Sequence, residues 1–234
     1  MRILIAAATS VEVAPLVARL RGAEKTPDPF SRGRAAKVTA CVHAGHDVDV
    51  LVTGIGMVAT AAWCSRALAW HAYDLALNVG VCGAFNRALA PGTVVHVVSD
   101  CIAELGAEDD DAFLTLKDLR LPGDDGFPVT GGRLVNASPL RNATLSALPA
   151  VHGITVNKVH GNDRSIAAVA ERFKPDVESM EGAAFMYACM LQELPFAQVR
   201  AVSNVVEKRN RSAWKITEAV DGLAHVTLSI LDHS

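Results

Sequence analysis

Runs of five or six residues rich in Val and Ile recur along the chain, at Ile3–Ala8, Val38–His43, Val48–Thr53, Leu75–Val79, Val94–Ser99, Ile154–Val159 and Ala197–Val202. They are apolar in continuous stretches rather than at every second position, which predicts strands covered on both faces. Segments with helical spacing lie between several of them, at Val11–Leu20, Val58–Trp70, Ser165–Phe173, Gly182–Leu194 and Trp214–Leu231. Such alternation predicts an α/β fold with helices layered on both sides of a sheet, and ligands gather at the strand ends of such folds. The stretch Glu104–Gly132 breaks the pattern with Glu108-Asp-Asp-Asp, Pro122-Gly-Asp-Asp-Gly and Thr130-Gly-Gly, and reads as a long loop or lid. No repeat, heptad run or composition shift divides the chain, so residues 1–234 read as a single domain. The opening run Met1–Ala8 is short and soon followed by Glu12, and it reads as a first buried strand rather than a signal peptide.

Composition narrows the partners. Half of the residues are hydrophobic and 20% are charged, which fits a core-forming chain and excludes a disordered or fibrous one. A net charge of −3 supplies no positive field for nucleic acid or an anionic membrane, so a small molecule is the expected partner. No uncharged apolar run approaches the ~18 residues a bilayer requires, and a soluble protein is expected. Cys41, Cys64, Cys82, Cys101 and Cys189 are odd in number, scattered and free of CxxC pairs, as expected of buried thiols in a reducing cytoplasm. The eight histidines show no metal-ligand spacing, so no metal or redox cofactor is implied.

Four segments carry candidate chemistry, each with a plainer structural alternative. Thr53-Gly-Ile-Gly-Met lies between a strand and a helix, where glycines let a ligand approach the backbone; it also suits a tight turn. Asn78-Val-Gly-Val-Cys-Gly-Ala reads as a second glycine-bearing turn after a strand, and its Cys82 reads as a core thiol rather than a nucleophile. In Val177-Glu-Ser-Met-Glu-Gly-Ala-Ala-Phe, either acid can simply serve a helix start. Glu181 beside glycine in apolar company also suits a sugar diol, whose two hydroxyls donate to one carboxylate. Finally, Arg200-Ala-Val-Ser-Asn predicts a buried strand ending at Ser203 and Asn204, followed by a basic loop with Lys208, Arg209 and Arg211 whose plainer reading is solvated surface.

Taken in order, Glu12 after the first strand, ThrGlyIleGly, AsnValGlyValCysGly, SerMetGluGlyAlaAla and ArgAlaValSerAsn resemble the purine nucleoside phosphorylase and nucleosidase superfamily over nearly the whole chain. Within it, Glu178–Phe185 and Ser203–Trp214 are most similar to the futalosine hydrolases of menaquinone biosynthesis. The resemblance implies a three-layer helix-sheet-helix fold with a mixed central sheet. It implies a cofactor-independent N-glycosyl hydrolase that splits futalosine into hypoxanthine and dehypoxanthine futalosine, built as a homodimer or larger homo-oligomer. By position, Glu12 matches the general base that activates water, and Arg200 the residue that helps hold it. Met180 and Glu181 match the ribose-binding pair, and Ser203 and Asn204 the purine-binding strand end. Cys82, Gly83 and Val159 match positions beside the substrate. His160 lies near purine-flanking positions but reads first as a hydrogen-bonded structural or surface residue.

Asn204 departs from the adenine-releasing methylthioadenosine/S-adenosylhomocysteine nucleosidases, which look for Asp at the matching position. An asparagine amide can donate to O6 of a 6-oxopurine while accepting from N7–H, and adenine would leave those groups unmatched. Arginines that serve phosphate in the hexameric phosphorylases have no counterpart in Ala8-Thr-Ser-Val-Glu or Leu77-Asn-Val-Gly, which favours water as the nucleophile. The carboxyphenyl tail of futalosine needs an apolar slot ending in a cation, for which Lys208, Arg209 and Arg211 are the candidates. Phe113 and Phe127 of the excursion are candidates for residues lent to a neighbouring subunit's site. The alternatives are an adenine-releasing nucleosidase, a purine nucleoside phosphorylase and a noncatalytic purine-nucleoside sensor.

Overall fold

The structure, a computed structural model, describes residues 1–22, 37–121, 125–137 and 140–234. In chain order the elements are β1 (Arg2–Ala7), α1 (Ser10–Arg19), β2 (Arg21–Gly22), β3 (Lys37–His43), β4 (His46–Val52), α2 (Met57–Trp70), β5 (Leu75–Ala84) and β6 (Val94–Asp100). Then follow β7 (Gly106–Asp109), β8 (Ala112–Thr115), β9 (Val129–Thr130), β10 (Arg133–Val135), α3 (Ala143–Ala147), β11 (Ala150–Thr155) and α4 (Asp163–Phe173). The chain closes with β12 (Val177–Ser179), α5 (Gly182–Leu191), β13 (Phe196–Val205) and α6 (Ile216–Asp232).

The central sheet is mixed. Strand β1 is parallel to β4 and to β5, whereas β3 runs antiparallel to β4 and β12 antiparallel to β5. Strand β13 is parallel to β5 and antiparallel to β6, and β6 reaches β12 through β11, so β5, β12, β11, β6 and β13 close a ring. Both faces of the sheet are apolar because successive side chains point opposite ways. Ile3, Ile5 and Ala7 of β1 join Val13, Leu16, Leu223 and Ala224 of α1 and α6 in one core, while Leu4 and Ala6 join Cys64, Ala67 and Phe185 of α2 and α5 in the other. This is the expected helix-sheet-helix layering.

Several boundaries differ from the sequence reading. The Asn78–Ala84 segment is not a turn: β5 runs straight through both glycines, which serve close packing inside the strand. Strand β13 likewise passes Ser203 and Asn204 as a register shift, or β-bulge, and ends only at Val205. Strand β11 lies four residues earlier than predicted, leaving Val159 in the following loop. The Glu104–Gly132 excursion is not a bare loop: β7 and β8 pair as a hairpin whose turn holds Asp110 and Asp111, and β9 joins the main sheet through β10. Of Pro122-Gly-Asp-Asp-Gly, residues 122–124 lie outside the described residues.

Candidate active site

Three buried charged side chains, Glu12, Arg200 and Glu181, lie close together beside β5. Glu12 sits in the first turn of α1 and forms a capping box: its Oε2 accepts from the Thr9 main-chain N–H and hydroxyl, each at 2.9 Å. Its Oε1 accepts the Val81 N–H of β5 at 3.0 Å. The carboxylate thus serves the helix start, and the same contacts fix it against β5.

Arg200, on β13, is 0% exposed. Its Nη2 donates to Asn78 Oδ1, and its Nε donates to Gln198 Oε1 at 3.2 Å. Its Nη1 has no hydrogen-bond partner; the Glu181 Oε2 carboxylate oxygen is 3.7 Å away, an ion pair too long for a hydrogen bond. Both Nη1 and Glu12 Oε1 lie over Gly80, where any Cβ would meet them at under 3.0 Å. That close approach is the reason for a glycine inside the strand.

Glu181 occupies the N-cap position of α5 without a side-chain capping bond, and its carboxylate reaches instead to the first glycine turn, where its Oε1 accepts the Gly56 N–H at 3.0 Å. Burial pushes its carboxyl above the ordinary value; Arg200 and the Gly56 N–H pull it back, while Glu12 pushes it further up. Met180 precedes it at the junction of β12 and α5, half-buried.

The predicted base end lies further along the same strands. The Ser203 hydroxyl shares its one proton between Cys82 O at 3.2 Å and Asn204 Oδ1 at 2.8 Å, and Asn204 Nδ2 donates to Val205 O at 2.9 Å. The amide retains one further donor and one further acceptor site. Consecutive residues of β5 thus serve successive parts of the site: the Val81 N–H holds Glu12, the Cys82 carbonyl faces Ser203, and Gly83 leaves room chiefly for Val206, with Asn204 Nδ2 3.4 Å from where its Cβ would stand. The Cys82 thiol itself is buried in a separate core cluster and pushed up to about 12 by desolvation, so only its main chain faces Ser203.

Of the remaining predicted residues, Val159 is 43% exposed on the loop after β11. Its neighbour His160 is hydrogen-bonded to the buried Glu178, through its main-chain N–H at 3.0 Å and its Nδ1 at 2.7 Å, which accords with the structural reading of that histidine. Lys208, Arg209 and Arg211 are exposed, and the two arginines lie 5.4 and 5.9 Å from the Trp214 ring centroid. Phe113 is covered by the Arg172 guanidinium, whereas Phe127 is 73% exposed. A cavity of about 570 Å³ between the β7–β8 hairpin and α5 touches none of Glu12, Glu181, Arg200 or Asn204. Among the described residues no group of His, Cys, Asp and Glu is placed to hold a metal.

The sequence profile described as the phosphorylase superfamily matches residues 2–232. The chain belongs to this superfamily. Within it, the chain is 32% identical over 232 residues to a futalosine hydrolase of Streptomyces coelicolor, a match covering 95% of this chain and 92% of that protein. A futalosine hydrolase of Thermus thermophilus is 30% identical over 217 residues, covering 89% and 88%. Among solved structures, the native futalosine hydrolase of Helicobacter pylori strain 26695 superposes with a TM-score of 0.80 at 14% identity, over 99% of this chain and 97% of that one, a likeness of fold.

Sequence reasoning alone did not pick out Asn78, Gln198 or Asp100 as part of this superfamily member's site. Asn78 is the one polar side chain of an otherwise apolar strand, whereas Gln198 and Asp100 stand among other polar residues of β13 and β6.

Proposed function

We propose that the protein is a futalosine hydrolase, cleaving the N-glycosidic bond of futalosine with water to release hypoxanthine and dehypoxanthine futalosine. The observation that carries this reading is the buried Arg200 Nη1, without a hydrogen-bond partner, 3.7 Å from the Glu181 carboxylate and sharing with Glu12 Oε1 the space over Gly80. A neutral water or sugar hydroxyl suits a place with one spare donor and two acids, whereas a phosphate dianion would meet repulsion from both. The near full-length relatives supply the substrate.

In this mechanism Glu12 takes a proton from the attacking water as positive charge develops on the ribose ring, and Arg200 Nη1 fixes that water. Glu181 accepts from the ribose hydroxyls, with Met180 packed on the sugar. Asn204, oriented by Ser203, donates a hydrogen bond from its free Nδ2–H to O6 and accepts one from N7–H, the proton that solvent delivers to the departing hypoxanthine. The main chain at Cys82 and Gly83 borders the base, and Val159 approaches it from the β11–α4 loop. One of Lys208, Arg209 and Arg211 meets the carboxylate of the substrate tail; Arg209 is the nearest to that loop, its Cβ lying 3.9 Å from where a Cβ on Gly161 would stand.

A homodimer or larger assembly of this chain, acting in the cytoplasm, completes the proposal. Its support is a set of exposed apolar residues, Val11, Ile55 and Val58, at the starts of α1 and α2 beside the site. The free and buried state of all five cysteines suits a reducing compartment.

The test is incubation with futalosine, inosine and methylthioadenosine, with and without phosphate, identifying the base released. Hypoxanthine from futalosine at a rate independent of phosphate is expected. Release only with phosphate, or of adenine from methylthioadenosine alone, would refute the reading.

A further inference from the structure

Behind Arg200 lies a second tier of buried polar groups. Asp100, at the end of β6, is 1% exposed. Its Oδ2 accepts from Gln198 Nε2 at 3.1 Å, and its Oδ1 accepts from the Thr155 hydroxyl at 3.0 Å. Gln198 passes the connection on, its Oε1 accepting from Arg200 Nε at 3.2 Å. Thr155 passes it the other way: its Oγ1 accepts the Ala183 N–H at 2.7 Å, in the first turn of the helix that Glu181 caps.

A Cβ on Gly182 would overlap both Gln198 Oε1 and Asp100 Oδ2, so glycine there lets α5 close directly onto this pair. No guanidinium donates to Asp100; its donors are an amide and a hydroxyl. An unpaired buried carboxylate is costly, and burial accordingly raises its proton affinity.

An amide can be turned over without changing its shape, and only its neighbours decide which end is the acceptor. Asp100 can only accept when ionised, so it draws the Gln198 NH₂ toward itself and leaves the Gln198 oxygen facing Arg200. With Nε held by Gln198 and Nη2 by Asn78, the guanidinium plane is fixed from two sides, and Nη1 is the corner left over for the site.

We propose that Asp100 and Gln198 are positioning residues for glycosidic cleavage, acting as an oriented relay that sets the Arg200 guanidinium and, through Thr155, the start of the helix bearing Glu181. This rests on the reading that Arg200 serves hydrolysis.

The test exchanges the polarity of the relay. Gln198→Glu alone sets two carboxylates against each other, and Asp100→Asn alone sets two NH₂ groups against each other, since Arg200 Nε and the Thr155 hydroxyl each hold an amide oxygen. Together, D100N/Q198E restores the pairings that run from Thr155 to Arg200: the new amide donates to the new carboxylate, which still accepts from Arg200, and the Asn oxygen still accepts from Thr155; only the contact of the Gln198 amide with Met186 Sδ at 3.3 Å is given up. We expect kcat to fall about 10- to 100-fold in Q198E, with KM changed much less, and to recover to within about threefold of wild type in the double variant. Melting temperatures and cleavage of futalosine and methylthioadenosine are measured for all four proteins.

Wild-type cleavage of futalosine undiminished in Q198E, or a double variant no better than Q198E at equal melting temperature, would overturn the relay and leave the substrate assignment intact. The expected pattern on methylthioadenosine, with futalosine uncleaved by wild type, would keep the relay and overturn the assignment.

Discussion

At the scale of single residues, the site is built from side chains that each have a structural explanation as well. Glu12 completes a capping box and the Glu181 carboxylate accepts the Gly56 N–H of a glycine turn, yet Glu181 lies 3.7 Å from Arg200 Nη1 and Glu12 Oε1 shares with that nitrogen the space over Gly80. The proposed division of labour separates them. Glu12→Gln should lower kcat for futalosine at least about a hundredfold with KM nearly unchanged, because the amide keeps the shape and loses the base; steady-state kinetics checks this. Gly80→Ala should be as damaging, since its methyl group would displace Glu12 Oε1 and Arg200 Nη1 together. Here the same assay should show activity lost while the far-ultraviolet circular dichroism stays native. Asn204→Asp should shift preference from 6-oxopurine toward 6-aminopurine nucleosides, read as the ratio of kcat/KM values for futalosine and methylthioadenosine. Glu181 was legible in the sequence because it stands beside glycine in apolar company, whereas Glu12 and Arg200 were legible only through the resemblance to the superfamily. Asn78, Gln198 and Asp100 were not legible, because a polar residue in a strand gives no sign of which residue on another strand it will bond.

At the scale of elements, continuous apolar runs located the main strands and the long helices to within a few residues. The pattern failed where tertiary contact overrode local signals. Glycines at 80 and 83 read as a turn, but the chain stays extended there because β13 runs alongside and Arg200 and Val206 need the space. Strand β12 is three residues long and carries Glu178, too little for any periodicity to register. The β7–β8 hairpin is obscured by four successive acids around its turn.

The buried carboxylates that join these elements also shape the pH dependence of stability. Asp100 and Glu181 both have folded-state values raised above their ordinary 3.8 and 4.5, chiefly by desolvation. A raised acid binds its proton more tightly in the folded state, so its contribution is fully present below the unfolded value and is lost as pH rises through the folded one. The difference in unfolding free energy between wild type and Asp100→Asn should therefore move against wild type as pH rises from about 3.8. Urea denaturation at stepped pH measures it, and a difference independent of pH would contradict the assignment.

At the scale of the whole molecule, a closed ring of five strands flanked by two helical layers holds the site rigidly on two central strands, β5 and β13. All five thiols are buried in this framework, and desolvation pushes Cys64 and Cys82 up to about 12. Native protein should therefore leave its cysteines largely unreacted with a thiol reagent at pH 8, whereas denatured protein should titrate all five. The exposed apolar residues at the mouth of the site predict self-association, which sedimentation velocity reads directly: a dimer or larger species is expected, and a monomer at working concentration would contradict it.

The account centres on one arrangement, a water prepared by Glu12 and Arg200 at the sugar with Asn204 gripping the base. A crystal structure of the Glu12→Gln variant soaked with futalosine tests it most directly. The account predicts an ordered water between residue 12 and Arg200 Nη1 facing the anomeric carbon, with the Asn204 amide hydrogen-bonded to O6. A nucleoside bound with its base away from Asn204, or with its sugar out of reach of residue 12, would contradict it.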